Sequence, residues 1–107
     1  MADELDLRSP YRQQIEELLS RHLPGVEVWA YGSRVKGESH DTSDLDLVLR
    51  GPGLQEISAE RIFDLKDALT ESNIPILVEV FDWSTLPDSF HREIEKRYVA
   101  ICSDGDL

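Results

Sequence analysis

Hydrophobic positions along the chain follow two rhythms, and the alternation between them predicts the element order. Ser9-Pro10 opens the first helix, with serine as N-cap and proline at the first helical position. Tyr11, Ile15, Leu18, Leu19 and then His22 or Leu23 follow at helical spacing until Leu23-Pro24-Gly25 stops it. The period then drops to two. Over 26–31, Val26, Val28 and Ala30 share one face of a predicted strand, with Glu27, Trp29 and Tyr31 on the other. Gly32 breaks that strand, and 33–37 reads as a turn or short helix. A second strand spans 42–50, its Leu45, Leu47 and Leu49 opposite Asp44, Asp46, Val48 and Arg50. Past the Gly51-Pro52-Gly53 loop, Ser58 is expected to cap a helix to Thr70 with Ile62, Leu65, Ala68 and Leu69 on one stripe. A third strand over 76–82, a helix over 87–96 and a last edge strand over 98–102 complete the order.

The α-β-β-α-β-α-β order predicts an α/β (α+β) domain: a mixed sheet of about four strands, the first two adjacent. Helices belong mainly on one face, because Leu45, Leu47 and Leu49 need cover while Asp44 and Asp46 need access. The 107 residues suffice for one domain with one modest core. It divides into a leading helical segment (1–25), a core (26–102) and an acidic tail (103–107).

Composition narrows the classes further. No apolar run approaches the ~18 residues that span a bilayer, and the polar, acidic start is not a signal peptide. A single cysteine, Cys102, excludes an internal disulfide and suits a reducing cytosol; closing an apolar run, it reads as core packing. A cytoplasmic location is therefore expected. Twenty-two acidic against eleven basic side chains give a formal charge of −11, which disfavours broad binding to nucleic acid. The acidity serves solubility or, on the sharper reading, a basic protein partner.

Chemistry concentrates between Tyr31 and Leu47. Carboxylates at i and i+2 on a strand point to one side of the sheet. Close carboxylates repel, and one tends to stay protonated unless a hard divalent cation bridges them. Alone, such a pair is more often the solvated face of a strand. The upstream residues change the balance. Gly32 lets backbone N–H groups approach a phosphate, Ser33 adds a hydroxyl, and Arg34 and Lys36 bring positive charge to an acidic chain. A calcium loop over 41–46 fails for want of its glycine and closing glutamate, and no Walker Gly-Lys-Ser/Thr occurs.

Gly32-Ser33, ten intervening residues and Asp44-Leu45-Asp46 resemble the signature of the DNA polymerase beta-like nucleotidyltransferase superfamily. The strings Gly-Ser-Arg-Val-Lys-Gly and Ser-Asp-Leu-Asp-Leu are similar to its minimal members, the MNT proteins often paired with HEPN-domain toxins. The resemblance covers roughly Val26 to Cys102. It implies a nucleotidyltransferase fold in which Asp44 and Asp46 ligate one or two Mg²⁺ ions. It further implies that Gly32, Ser33, Arg34, Lys36 and Ser43 hold the phosphates of ATP. A third carboxylate is expected on a neighbouring strand, where the family usually has Asp; Glu79 stands there, on the face opposite Val78 and Val80. Its extra methylene shifts the carboxylate by about a bond length, which in-line transfer tolerates poorly. Asp82, at the strand end, is expected to cap or solvate the turn.

Other residues carry blander expectations. His22, His40 and His91 lack metal-ligand spacing. Trp29, Trp83 and Phe63 are expected to pack rather than stack on bases, and Glu93 to Arg97 to form a solvated helical face. Arg50 forms a surface ion pair or, more sharply, contacts phosphate. Three functions follow: AMP transfer from ATP to a protein hydroxyl, as antitoxin of a HEPN-type toxin; an antitoxin that neutralises by binding alone, its site weakened by Glu79; and transfer to a small molecule such as an aminoglycoside. Homo-oligomerisation is compatible with all three.

Overall fold

The period-two segments pair into a single mixed sheet. The computed structural model describes residue 7, residues 9–36 and residues 44–102, without the side chains of Ser9, Ser33, Lys36 and Cys102. Expectations for Gly37, His40, Ser43, the strand start at Thr42 and the tail at 103–107 lie outside the described residues. So do those for the side chains of Ser33, Lys36 and Cys102. In chain order the elements are α1 (Ser9–His22), β1 (Glu27–Tyr31), α2 (Ser33–Lys36), β2 (Leu45–Arg50), a 3₁₀ turn (Pro52–Leu54) and α3 (Ala59–Glu71). There follow β3 (Val78–Asp82), a second 3₁₀ turn (Trp83–Thr85), α4 (Asp88–Lys96) and β4 (Val99–Cys102).

The strands lie in the order β3-β2-β1-β4. β1 is antiparallel to both β2 and β4, whereas β2 and β3 run parallel. A parallel neighbour requires a crossover, and α3 lies on the connection that supplies it. The third strand starts two residues later than its apolar pattern predicts. β2 begins at Leu45, which pairs with Val78; a single slanted bond, Leu45 N–H to Leu77 O at 2.9 Å, closes the ladder there.

Alternation sorts the side chains onto two faces. Leu45, Leu47 and Leu49 join Val28, Ala30 and Val80 beneath Ile15 and Leu19 of α1 and Leu65 and Leu69 of α3. Truncating one of these fully buried leucines to alanine costs about 2–5 kcal/mol, through lost transfer energy and the cavity left behind. The two long helices thus share one face, as expected. α4 departs from that pattern: its Ile94 packs on the opposite face, in a second cluster with Trp29, Tyr31, Val48 and Trp83.

Three local expectations meet the structure differently. Asp82 caps as anticipated, though buried: Oδ1 accepts from Ser84 N–H (3.0 Å) and Oγ (2.9 Å), and Oδ2 from Ile57 N–H (2.9 Å). Ser58 occupies the N-cap position of α3, but its side chain makes no capping bond. Phe63 departs from the expectation that it packs: the residue is 69% exposed. The buried stripe of α3 runs through Leu65 and Leu69, and a helix turns about 100° per residue, which carries Phe63 off that stripe.

Candidate active site

The face away from α1 and α3 carries the candidate chemistry, and strand register assembles it. Tyr31 of β1 pairs with Asp46 of β2, and Asp46 pairs with Glu79 of β3. Directly paired residues point to the same side of a sheet, so three adjacent strands put a phenol and two carboxylates in one row. Asp44 lies two residues before Asp46, just ahead of β2, and is exposed; Asp46 and Glu79 are half-buried.

Their electrostatics report the crowding. The Asp46 carboxyl is pushed above its ordinary value, chiefly by burial and then by the negative charges of Glu79 and Asp44. The Tyr31 phenol is also pushed up, by burial first and then by Asp46 and Glu79. It stays protonated at any physiological pH. Among the described residues, no three of His, Cys, Asp and Glu close into a preassembled metal cage. Asp46 and Glu79 are strand-paired, and Asp44 is close enough to raise the Asp46 carboxyl. An all-oxygen donor set bearing excess negative charge is the chemistry that Mg²⁺ requires, so the residues fit that ion.

Gly32 forms the rim of this row. It has φ of +88°, a left-handed conformation that favours glycine, and its carbonyl accepts from Val35 N–H at 3.0 Å as the chain turns into α2. A Cβ at Gly32 would collide with Asp46 Oδ2 and lie 3.4 Å from its Cγ. Glycine is therefore needed twice, for its dihedral and for the room it leaves the carboxylate.

Of the residues predicted for the site, Gly32, Asp44, Asp46 and Glu79 come together. Ser33 and Lys36 contribute backbone to α2, beside the rim. Arg34 is buried, with only 7% exposed, and is engaged by other groups of the protein. Arg50 lies four residues along β2 from Asp46, about 13 Å at strand rise. There its Nη1 donates to Glu27 Oε1 at 3.0 Å, and its guanidinium sits 3.9 Å from the Trp29 ring and 4.6 Å from that of Trp83. The expected ion pair forms, on a largely covered guanidinium. Trp29 and Trp83 are buried, as expected for packing. His91 stacks on Trp83 with centroids 3.9 Å apart.

Sequence reasoning did not single out Tyr31 or Phe90. Phe90, in the first turn of α4, sets its ring edge-on to Tyr31 (centroids 6.1 Å apart, planes at 86°). Alternation already put Tyr31 on the polar face of β1. Its place beside Asp46 follows only once β1 and β2 are paired.

Comparison with known proteins fits this geometry. A family model described as "Polymerase beta, Nucleotidyltransferase" matches residues 13–106. The "Probable protein adenylyltransferase MntA" of Haemophilus influenzae is 37% identical over 99 residues, covering 92% of this chain and 84% of that protein. A crystal structure of a toxin-antitoxin with AMP-PNP superposes with a TM-score of 0.71 at 17% identity, over 86% of this chain and 73% of that one. That likeness is one of fold. The matched region begins inside α1, whose Ile15 and Leu19 belong to the core. No described helix is long and apolar enough to cross a membrane.

Proposed function

This chain belongs to the polymerase beta nucleotidyltransferase family, and on that footing we propose that it transfers AMP from ATP to a hydroxyl group of a partner protein. The observation that carries the reading is the Asp46–Glu79 register beside Gly32, with Asp44 two residues upstream. Asp44, Asp46 and Glu79 would hold one or two Mg²⁺ ions, which when bound neutralise the phosphates and act as Lewis acid. Gly32, Ser33, Lys36 and Ser43 would meet the phosphates along the turn into α2, with the buried Arg34 adding positive charge to the same segment. The acceptor oxygen bonds to the α-phosphorus, the α–β phosphoanhydride bond breaks, and pyrophosphate leaves. Glu79 accepts the acceptor's proton.

A protein acceptor is supported by the adenylyltransferase relative and a toxin partner by the toxin-antitoxin complex that shares the fold; the HEPN type of that toxin rests on the motif resemblance alone. A partner carrying basic surface would complement the charge of −11. The test is incubation of the chain with Mg²⁺, α-labelled ATP and the candidate HEPN-domain protein. Label is expected on the partner and is lost with EDTA. Neutralisation of the partner without label transfer would instead establish an antitoxin that acts by binding alone.

A further inference from the structure

The polar face of the sheet is covered along only part of its length. α4 lies over the Trp29–Val48 region through Ile94 and ends, at its first turn, with Phe90 against Tyr31. At that edge α2 contacts both β1 and β2 beside the row, and Asp46 and Glu79 stay half-buried rather than closed off. Phe90 remains 38% exposed while its ring sits edge-on to Tyr31, the strand partner of Asp46. Ile94 is one turn along the same side of α4 and fully buried; Phe90 continues that stripe past the edge of the core it covers.

A partly exposed ring, held in place by a buried one and set beside an anion-metal site, fits a ligand with two unlike ends. One end is a polyphosphate and the other a flat, weakly polar ring. We propose that Phe90 is the nucleobase platform of this enzyme, stacking the base of the nucleotide whose triphosphate lies at Gly32, Asp44 and Asp46. The inference rests on the nucleotidyltransferase reading above and adds to it the element that grips the base. Stacking on an aromatic face discriminates little by hydrogen bonding but favours larger ring systems. Purine nucleotides therefore bind more tightly than pyrimidine nucleotides. Phe90 belongs to the chain's own α4, so base binding needs no second domain.

The experiment is calorimetric titration of the full chain, in Mg²⁺, with α,β-methylene-ATP, α,β-methylene-CTP and inorganic tripolyphosphate. The parent should bind the ATP analogue more tightly than the CTP analogue, and both more tightly than tripolyphosphate. Phe90→Ala should weaken the ATP analogue by about tenfold, the scale of a lost base–aromatic stack, and leave tripolyphosphate unchanged. Phe90→Trp should restore the difference; a thermal melt checks that both variants fold. Three results overturn the platform while leaving the phosphate site standing: unchanged ATP-analogue affinity in Phe90→Ala, equal weakening of analogue and tripolyphosphate, or a parent that binds both alike. A parent that binds neither overturns the nucleotidyltransferase reading itself, and the platform with it.

Discussion

The two ends of one sheet face are built on opposite electrostatic plans. At the Arg50 end, charges are matched and covered. Glu27 accepts from Arg50 and, at 2.9 Å, from Trp29 Nε1. Trp29 is stacked on its other side by Tyr98, with centroids 3.7 Å apart. Among the described residues, only Arg50 Nε is buried without a partner. At the Asp46 end, two strand-paired carboxylates and a third beside them share one sign, and burial plus mutual repulsion raise the Asp46 carboxyl. The paired end stabilises the fold. The like-charged end works against it, and a protein keeps such an arrangement where a ligand of opposite charge relieves it.

Substitution can break this contrast at either end. The largest effect is expected at Asp46. Asp46→Asn removes one charge from a shared cation site and should cut AMP transfer by about 10³-fold. With metal absent it should raise the melting temperature, since a repelled charge is gone. Added Mg²⁺ should then raise the melting temperature of the parent but not of the variant. A variant less stable than the metal-free parent would show that the row is not strained by repulsion.

Glu79→Gln comes next. It keeps the oxygen ligand and the length but cannot take up a proton, so transfer should fall about 10²-fold while Mg²⁺-ATP binding is nearly retained. Glu79→Asp should keep activity or raise it. Equal transfer rates for Glu79→Gln and the parent would remove Glu79 as the base.

The smallest effect lies at the matched end. Arg50→Ala strips Glu27 of its partner and removes the plate against Trp29 and Trp83, a loss of about 2 kcal/mol. The urea midpoint should drop while transfer per folded molecule stays at the parental value. Arg50→Lys should recover little, because a point charge cannot lie flat on two rings.

How much of this was legible in the sequence depends on how far each residue's role reaches. The split of β2 into a leucine face and an aspartate face is a local period and could be read directly. So could the breaks at Gly25 and Gly32. Helical phase fixes Leu65 and Leu69, but apolar character alone misplaces Phe63, which is out of phase with that stripe and faces solvent. The second cluster under α4 was hidden because it joins Trp29, Val48, Trp83 and Ile94 from four separate segments. Glu79 was located by family likeness together with alternation. Its alignment with Asp46 rests on a parallel register that no local pattern encodes. Tyr31 and Phe90 carry no local signal for the same reason: each acquires its meaning from a neighbour far away in the chain.

The contact between Gly32 and Asp46 has one more consequence, for freedom of motion. Asp46 Oδ2 occupies the space that a Cβ at Gly32 would fill, so the glycine backbone bounds the carboxylate on that side. To that extent its side-chain freedom is given up on folding rather than on binding. Association then has less disorder to remove at this one group, and what it gains from charge neutralisation is retained as affinity. A bulkier residue at position 32 would therefore loosen binding even if the turn survived, by forcing Asp46 to search for a new orientation each time the site fills.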